Sequence, residues 1–195
     1  MNSDDIAYML LRNIKLVSLI SSFGSMAIIS ALMFSKDLRY SFPINVSLVS
    51  VNAILQGLLI GVLSCFVWDP QMTLIGTMHT LVAFLSITFF SLQTKYDLTL
   101  FSSTLVSALS VTTLGLILSI IFKIPSAYNF LSAISGVIFA AYLAHDTQKI
   151  VGGKNVKYPF SPKEYILAAV SLYQDVLNIF IQIMKILNAN KKRNG

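Results

Sequence analysis

The chain has 195 residues, 55% hydrophobic and only 11% charged, with a net charge of +6 and a mean hydropathy of +0.75. A soluble domain places charge on about a quarter of its residues, so a water-soluble enzyme is excluded. The basic excess reads as anchors flanking membrane spans and attracting lipid headgroups, not as a nucleic-acid surface.

Charge is confined to clusters. Residues 16–35, 40–68, 70–94, 98–122 and 124–145 contain no Asp, Glu, Lys or Arg. Each run is long enough to cross a hydrocarbon core of roughly 30 Å as a helix of about 20 residues. Backbone amides in lipid must be satisfied within the segment or by a closed barrel. The alternation of a barrel strand is absent, so an all-α polytopic membrane bundle of about six transmembrane helices is expected.

A polar lead with Asp4, Asp5 and Arg12 precedes the first predicted helix, 14–34. Its uncharged run carries no small-residue cleavage pattern, so it reads as a retained span and not as a signal peptide. Lys36-Asp37-Leu38-Arg39 ends it, and Pro43 opens the second helix, 43–68, where its missing N–H costs nothing. Asn45-Val46-Ser47 is a formal glycosylation sequon at the mouth of that span, where use is not expected. Gln56 needs a buried partner, and Gly57 and Gly61 form a small-xxx-small pattern that permits close helix approach. The single cysteine, Cys65, lies in the same apolar run and allows no intrachain disulfide.

Asp69-Pro70 turns the chain into the third helix, 71–92, in which His79 is expected to be hydrogen-bonded inside the bundle. Lys95 and Asp97 mark the next interface, followed by a helix over 99–122. Lys123 to Pro125 breaks the chain before the fifth, 127–144. The longest connection, 145–163, holds Gly152-Gly153, Pro159 and Pro162. Ser161-Pro162-Lys163-Glu164 has the form of an N-cap with Pro at the first helical position and Glu at the third. The sixth helix spans 164–187, and Lys191-Lys192-Arg193 closes a chain read as one domain, 1–195. With six spans the basic residues split seven against seven between the two sides, so charge assigns no orientation.

The sixth helix carries the sharpest chemical signal. Ser171, Gln174, Asp175, Asn178, Gln182 and Lys185 fall within an arc of roughly 100°. A polar stripe about 20 Å long cannot face lipid, so it faces other helices or water. Asp175, near its middle, costs about 2.5–3.5 kcal/mol to insert and needs a partner, a proton or a hydrated cavity. The plain alternative is a polar network that only holds helices together. Asp146, beside His145, is expected at the end of the fifth helix, where a solvated carboxylate would be ordinary. If it converges with Asp175, the two cannot both ionise cheaply. Such a pair would make a proton-sensitive gate or a hard-oxygen site for Ca²⁺.

No Ser-His-Asp set, Walker loop, HExxH or GxGxxG is read from the sequence. The surroundings of the aspartates, Ala144-His145-Asp146 and Tyr173-Gln174-Asp175, lack the glycines of an intramembrane aspartyl protease. No enzyme and no resident cofactor are expected.

The stretch 139–183 contains Asp146-Thr147, Gly152-Gly153-Lys154, Ser161-Pro162-Lys163-Glu164-Tyr165, Leu172-Tyr173-Gln174-Asp175 and Asn178-Ile179-Phe180. Upstream stand Leu92-Gln93-Thr94-Lys95-Tyr96-Asp97 and Pro43-Ile44-Asn45. This set resembles the signature of the transmembrane Bax-inhibitor-motif family, closest to its Lifeguard and Golgi anti-apoptotic branch, over nearly the whole chain from about residue 14. The resemblance implies a bundle around a central last helix, with Asp146 and Asp175 as a pH-sensing aspartyl pair. It also implies a Ca²⁺ leak, with Ca²⁺ as permeant ion, through Golgi or endoplasmic reticulum membranes, and suppression of cell death. By position, Arg39 is the candidate for the family's basic latch. Family members usually have seven spans, so the first is expected to be missing, and the family often has Glu where Gln56 stands. Three readings follow: a proton-sensitive Ca²⁺ leak channel, a non-conducting adaptor for other membrane proteins of cell-death or calcium-release pathways, and a proton-coupled transporter.

Overall fold

Every uncharged run becomes a helix. The structure, a computed structural model, describes residues 12–66, 69–152 and 156–194, without the side chains of 65, 66 and 192–194. Asp4, Asp5, Gly153, Lys154 and the side chains of Cys65, Lys192 and Arg193 therefore lie outside the described residues. The helices are α1 (Ile14–Phe34), α2 (Lys36–Tyr40), α3 (Ile44–Phe66), α4 (Pro70–Gln93), α5 (Ser102–Ile121), α6 (Pro125–Val151) and α7 (Tyr165–Asn194). Short 3-10 turns, Leu98–Phe101 and Pro162–Glu164, lead into α5 and α7. Six segments are long and apolar enough to cross a membrane, and no strand occurs among the described residues. The chain is a polytopic membrane helix bundle.

Its burial pattern is that of a protein dissolved in lipid. Large apolar side chains such as Phe23, Phe34, Val111 and Phe130 point outward, while Ser21, Asn52, Thr112 and Ser135 are buried. Hydrocarbon solvates Leu and Phe as well as a core does, so small polar residues take the helix interfaces. Many of the hydroxyls satisfy themselves on their own helix: Thr80, Ser91, Thr112, Ser119 and Ser135 each donate to the carbonyl four residues back.

Two compact units divide the chain, Met1–Pro70 and Gln71–Gly195. In the first, α1 packs on α3 around a buried polar chain. Gln56 Nε2 donates to Ser25 Oγ at 2.9 Å, and Ser25 Oγ donates to Asn52 Oδ1 at 2.8 Å. The partner expected for Gln56 is thus Ser25. Asn45 is fully buried, with Nδ2 donating to the Arg39 carbonyl at 3.0 Å, so the sequon amide is engaged in the fold. Gly57 and Gly61 differ from expectation: a Cβ at either would meet nothing within 4 Å, and both face outward. Spacing marks where helices can approach, but a neighbour must also face that side.

In the second unit the largest interface is α6 on α7, followed by α5 on α6. The tightest glycine contact in this unit is at Gly76 of α4, where an added Cβ would collide with the Met184 sulfur and touch the Phe180 ring. Met184 is fully buried and has little room to yield. Gly76→Val should therefore lower stability by about 1–3 kcal/mol through overpacking, read as a fall in thermal midpoint in detergent. An unchanged midpoint would show that α4 does not bear on α7 there.

The helix starts follow the proline signals: Pro70 and Pro125 are the first residues of α4 and α6. The fifth predicted helix is too short by seven residues at its C-terminal end, because α6 runs to Val151 rather than 144. Charge marks where a helix leaves hydrocarbon, not where it stops. It stops at Gly152, whose φ of +68° suits glycine and whose N–H donates to the Gln148 carbonyl at 2.9 Å. The sixth predicted helix likewise extends past 187 to Asn194. Before it, Ser161 N–H donates to Glu164 Oε2 at 3.0 Å and Glu164 N–H to the Ser161 carbonyl at 2.8 Å, joining both ends of the expected cap.

Candidate functional site

The added turns of α6 change what Asp146 is. It is not a solvated helix-end carboxylate; it is 8% exposed, within a wholly buried run from Leu143 to Gln148. His145 Nδ1 lies 2.6 Å from Asp146 Oδ1, and His145 Nε2 lies 2.7 Å from Ser102 Oγ, at the first residue of α5. Ser102 Oγ in turn donates to the Thr99 carbonyl at 2.8 Å. Tyr142 packs edge-on against the imidazole with ring centroids 6.4 Å apart. A Ser-His-Asp line exists in space, built from residues 43 positions apart, that the sequence does not display.

Its protons can be counted. The Ser102 hydroxyl has one hydrogen and two acceptors within reach, the Thr99 carbonyl and His145 Nε2. If it goes to Thr99, His145 must donate through Nε2, and the short Nδ1–Oδ1 contact then needs a second proton. If it goes to His145, Nδ1–H serves Asp146 and the Thr99 carbonyl loses its bond. The line therefore has two arrangements that differ by one proton.

Asp175 lies on α7, against α6, and is 6% exposed. Its Oδ2 is buried with no hydrogen-bond partner among the described residues. Asp146 and Asp175 lie within coulombic range of each other and of the Tyr142 phenol. Of the stripe, Asp175 and Gln182 are the buried members. Gln182 is buried with Oε1 unpartnered, while Ser171, Gln174, Asn178 and Lys185 are half-buried. Ser171 Oγ donates to the Leu167 carbonyl at 2.8 Å.

One other expectation is corrected. His79 is exposed on α4 and its Nδ1 sits 2.8 Å from the Ile75 carbonyl, so it bonds its own helix and not the bundle interior. Arg39 donates from Nε to the Leu32 carbonyl at 3.1 Å and from Nη2 to the Met33 carbonyl at 2.6 Å. Its described hydrogen bonds cap the last carbonyls of α1, which is the work of a basic residue at a helix C-terminus.

No group of three His, Cys, Asp or Glu side chains converges as a metal site among the described residues. A resident Ca²⁺ takes six to eight oxygens.

Sequence reasoning missed Gln148. Its Oε1 accepts from the Leu98 N–H at 2.8 Å, and its Nε2 donates to the Tyr96 carbonyl at 3.0 Å and the Ser91 carbonyl at 3.4 Å. It ties the end of α4 and the turn before α5 to α6, holding Ser102 opposite His145. The signal available was its place directly after Asp146-Thr147.

Asp97 braces the same turn from outside the spans. Oδ1 accepts from Thr99 Oγ1 and N–H, and Oδ2 accepts from the Lys157 N–H at 2.9 Å. The Thr99 hydroxyl above all, then the Lys157 and Thr99 amides and the Lys157 charge, hold its carboxyl below the usual 3.8, while partial burial works the other way. A lowered folded value means the stabilisation is present above 3.8 and is lost as pH falls through the folded value. The protection of the Lys157 amide against exchange, relative to its intrinsic rate, should therefore be present at neutral pH and be lost only in strong acid. In Asp97→Asn that acid step should vanish; a step that persists would place its cause elsewhere.

Comparison with known proteins agrees with this architecture. The family described as inhibitor of apoptosis-promoting Bax1 matches residues 6–192. The Golgi anti-apoptotic protein of vaccinia virus strain Lister is 29% identical over 175 residues, which is 90% of this chain and 70% of that protein. Protein lifeguard 4 of Mus musculus is 28% identical over 172 residues, 88% of this chain and 68% of the relative. With a match over almost its full length, the chain belongs to the Bax-inhibitor family, on the branch that holds the Golgi anti-apoptotic and Lifeguard proteins.

Proposed function

We propose that this chain suppresses apoptosis from a Golgi or endoplasmic reticulum membrane by acting as a proton-sensitive Ca²⁺ leak. The family supports the anti-apoptotic role, and a relative bearing a Golgi name supports the compartment. The leak rests on one observation: Asp175 carries a buried, unpartnered oxygen in the middle of an inward polar stripe, within electrostatic reach of Asp146. An acid without a protein partner is available to a passing cation. Asp146, Asp175, Gln174, Asn178, Gln182 and Ser171 line the path in this reading, and the His145–Ser102 line sets the proton occupancy beside it. Protons compete with Ca²⁺ for the same carboxylates, so flux falls on acidification.

The reading assigns no catalysis. Ser102 shares its one hydrogen with a backbone carbonyl, and the line serves better as a proton store than as a nucleophile. The test is Ca²⁺ entry into liposomes holding the purified full chain, measured across pH. Flux that falls toward acid supports the leak. Zero flux at every pH overturns it, and zero flux together with co-purified membrane partners would select the adaptor. Counterflow of a solute would select a transporter.

A further inference from the structure

α6 and α7 enclose a second polar place, far along both helices from the aspartates. A cavity of about 480 Å³ lies between the first turns of α6 and the last turns of α7. Ser126, Asn129 and Ser132 line it from α6, and Lys185 and Asn190 from α7. Ser132 is 1% exposed, yet its Oγ has no hydrogen-bond partner. Ser135, one turn on, instead donates to its own helix, to the Leu131 carbonyl at 2.9 Å. A buried hydroxyl left unused beside a cavity is costly unless something enters to use it.

The charges there have one sign. Lys185 makes no ion pair among the described residues, its described contact being the Tyr128 ring at 5.7 Å. Lys123, at a φ of +54°, lines a second cavity with Pro125 and Tyr128 at the same end of α6. The described side-chain carboxylates of this unit are elsewhere. Asp97, Asp146 and Glu164 belong to the opposite helix ends, and Asp175 is ten residues back on α7, about 15 Å away. The N-terminus of α6 adds to the field: Pro125 is its first residue, and Ile124 supplies no side-chain cap.

We propose that this cavity binds a phosphate group, with Lys185 as its counter-charge and Ser132, Ser126, Asn129 and Asn190 as hydrogen-bond donors. A carboxylate would use few of those donors, whereas the several oxygens of a phosphate can take most of them. The group has two sources, the headgroup of an anionic phospholipid or free phosphate. A position at the end of the spans is where headgroups lie. This site does not depend on the leak reading.

The purified full chain in detergent, titrated with short-chain phosphatidic acid, phosphatidylcholine or inorganic phosphate, distinguishes the sources. Phosphatidic acid should bind about tenfold tighter than phosphatidylcholine, a difference of about 1.4 kcal/mol. Lys185→Gln should remove that preference, and Ser132→Ala should weaken it while keeping the native melting curve. Lys157→Gln, which neutralises a lysine at the opposite helix ends, should leave it intact. Inorganic phosphate binding with equal affinity would identify free phosphate as the ligand. The proposal is overturned if Lys185→Gln and Ser132→Ala both bind as wild type, or if Lys157→Gln loses as much as Lys185→Gln.

Discussion

Asp175→Asn should cut Ca²⁺ flux by at least about tenfold, equivalent to roughly 1.4 kcal/mol in the barrier, while leaving the protein as stable as before or more so. The two halves of this expectation have one cause. A buried carboxylate oxygen without a partner contributes nothing to the fold and carries an insertion cost of about 2.5–3.5 kcal/mol when charged. Asn is nearly the same shape and has no charge to desolvate. A residue kept for packing would behave the other way, with lower stability and flux falling only in proportion to folded protein. The pH profile separates the cases further. Removing Asp175 takes away the acid that protons and Ca²⁺ compete for, so the remaining flux should vary little with pH. Asp146→Asn should reduce flux and keep some pH dependence, since Asp175 remains within electrostatic reach of Tyr142. Wild-type flux in Asp175→Asn would end the leak reading, whatever its melting curve.

The sequence made the spans legible because hydrocarbon imposes a rule as blunt as the signal: long runs without charge, opened by Pro70 and Pro125. The stripe on α7 was legible for a similar reason, since a period of 3.6 fixes which residues share a face before any neighbour is known. What failed was whatever needed a neighbour. Gly57 and Gly61 have the spacing for close approach but face outward, while the isolated Gly76 meets Met184 and Phe180. Asp146 was placed at a helix end because charges begin there, yet α6 continues to Gly152 and buries it. Ser102 draws no reading from the sequence at all, and His145 stands out only as the neighbour of Asp146. Their contact spans 43 positions, and no local pattern records it.

Gln148 is the strongest such case, and Gln148→Met should destabilise the chain by about 2–4 kcal/mol. The side chain is 6% exposed and serves partners 50 and 52 residues away, the Leu98 N–H and the Tyr96 carbonyl. Met fills much the same volume, so the loss would be of hydrogen bonds and not of packing. It would leave the Leu98 N–H without an acceptor, and an orphaned buried donor costs about 1–3 kcal/mol by itself. Gln148→Ala should lose more, because a cavity is added to the same orphaned groups. Asp97 braces the same turn through Thr99 and Lys157, so Asp97→Asn and Gln148→Met should not be additive. Once one brace is gone, the turn is already loosened and the second has less to hold. With the turn released, Ser102 would no longer be held opposite His145, so flux should keep only the pH dependence that Asp175 carries, even where the folded protein survives. Thermal melts of the two single variants and the double variant check the energies. A Gln148→Met protein that melts like the wild type would mean the Leu98 amide finds another acceptor and that α6 does not position this turn.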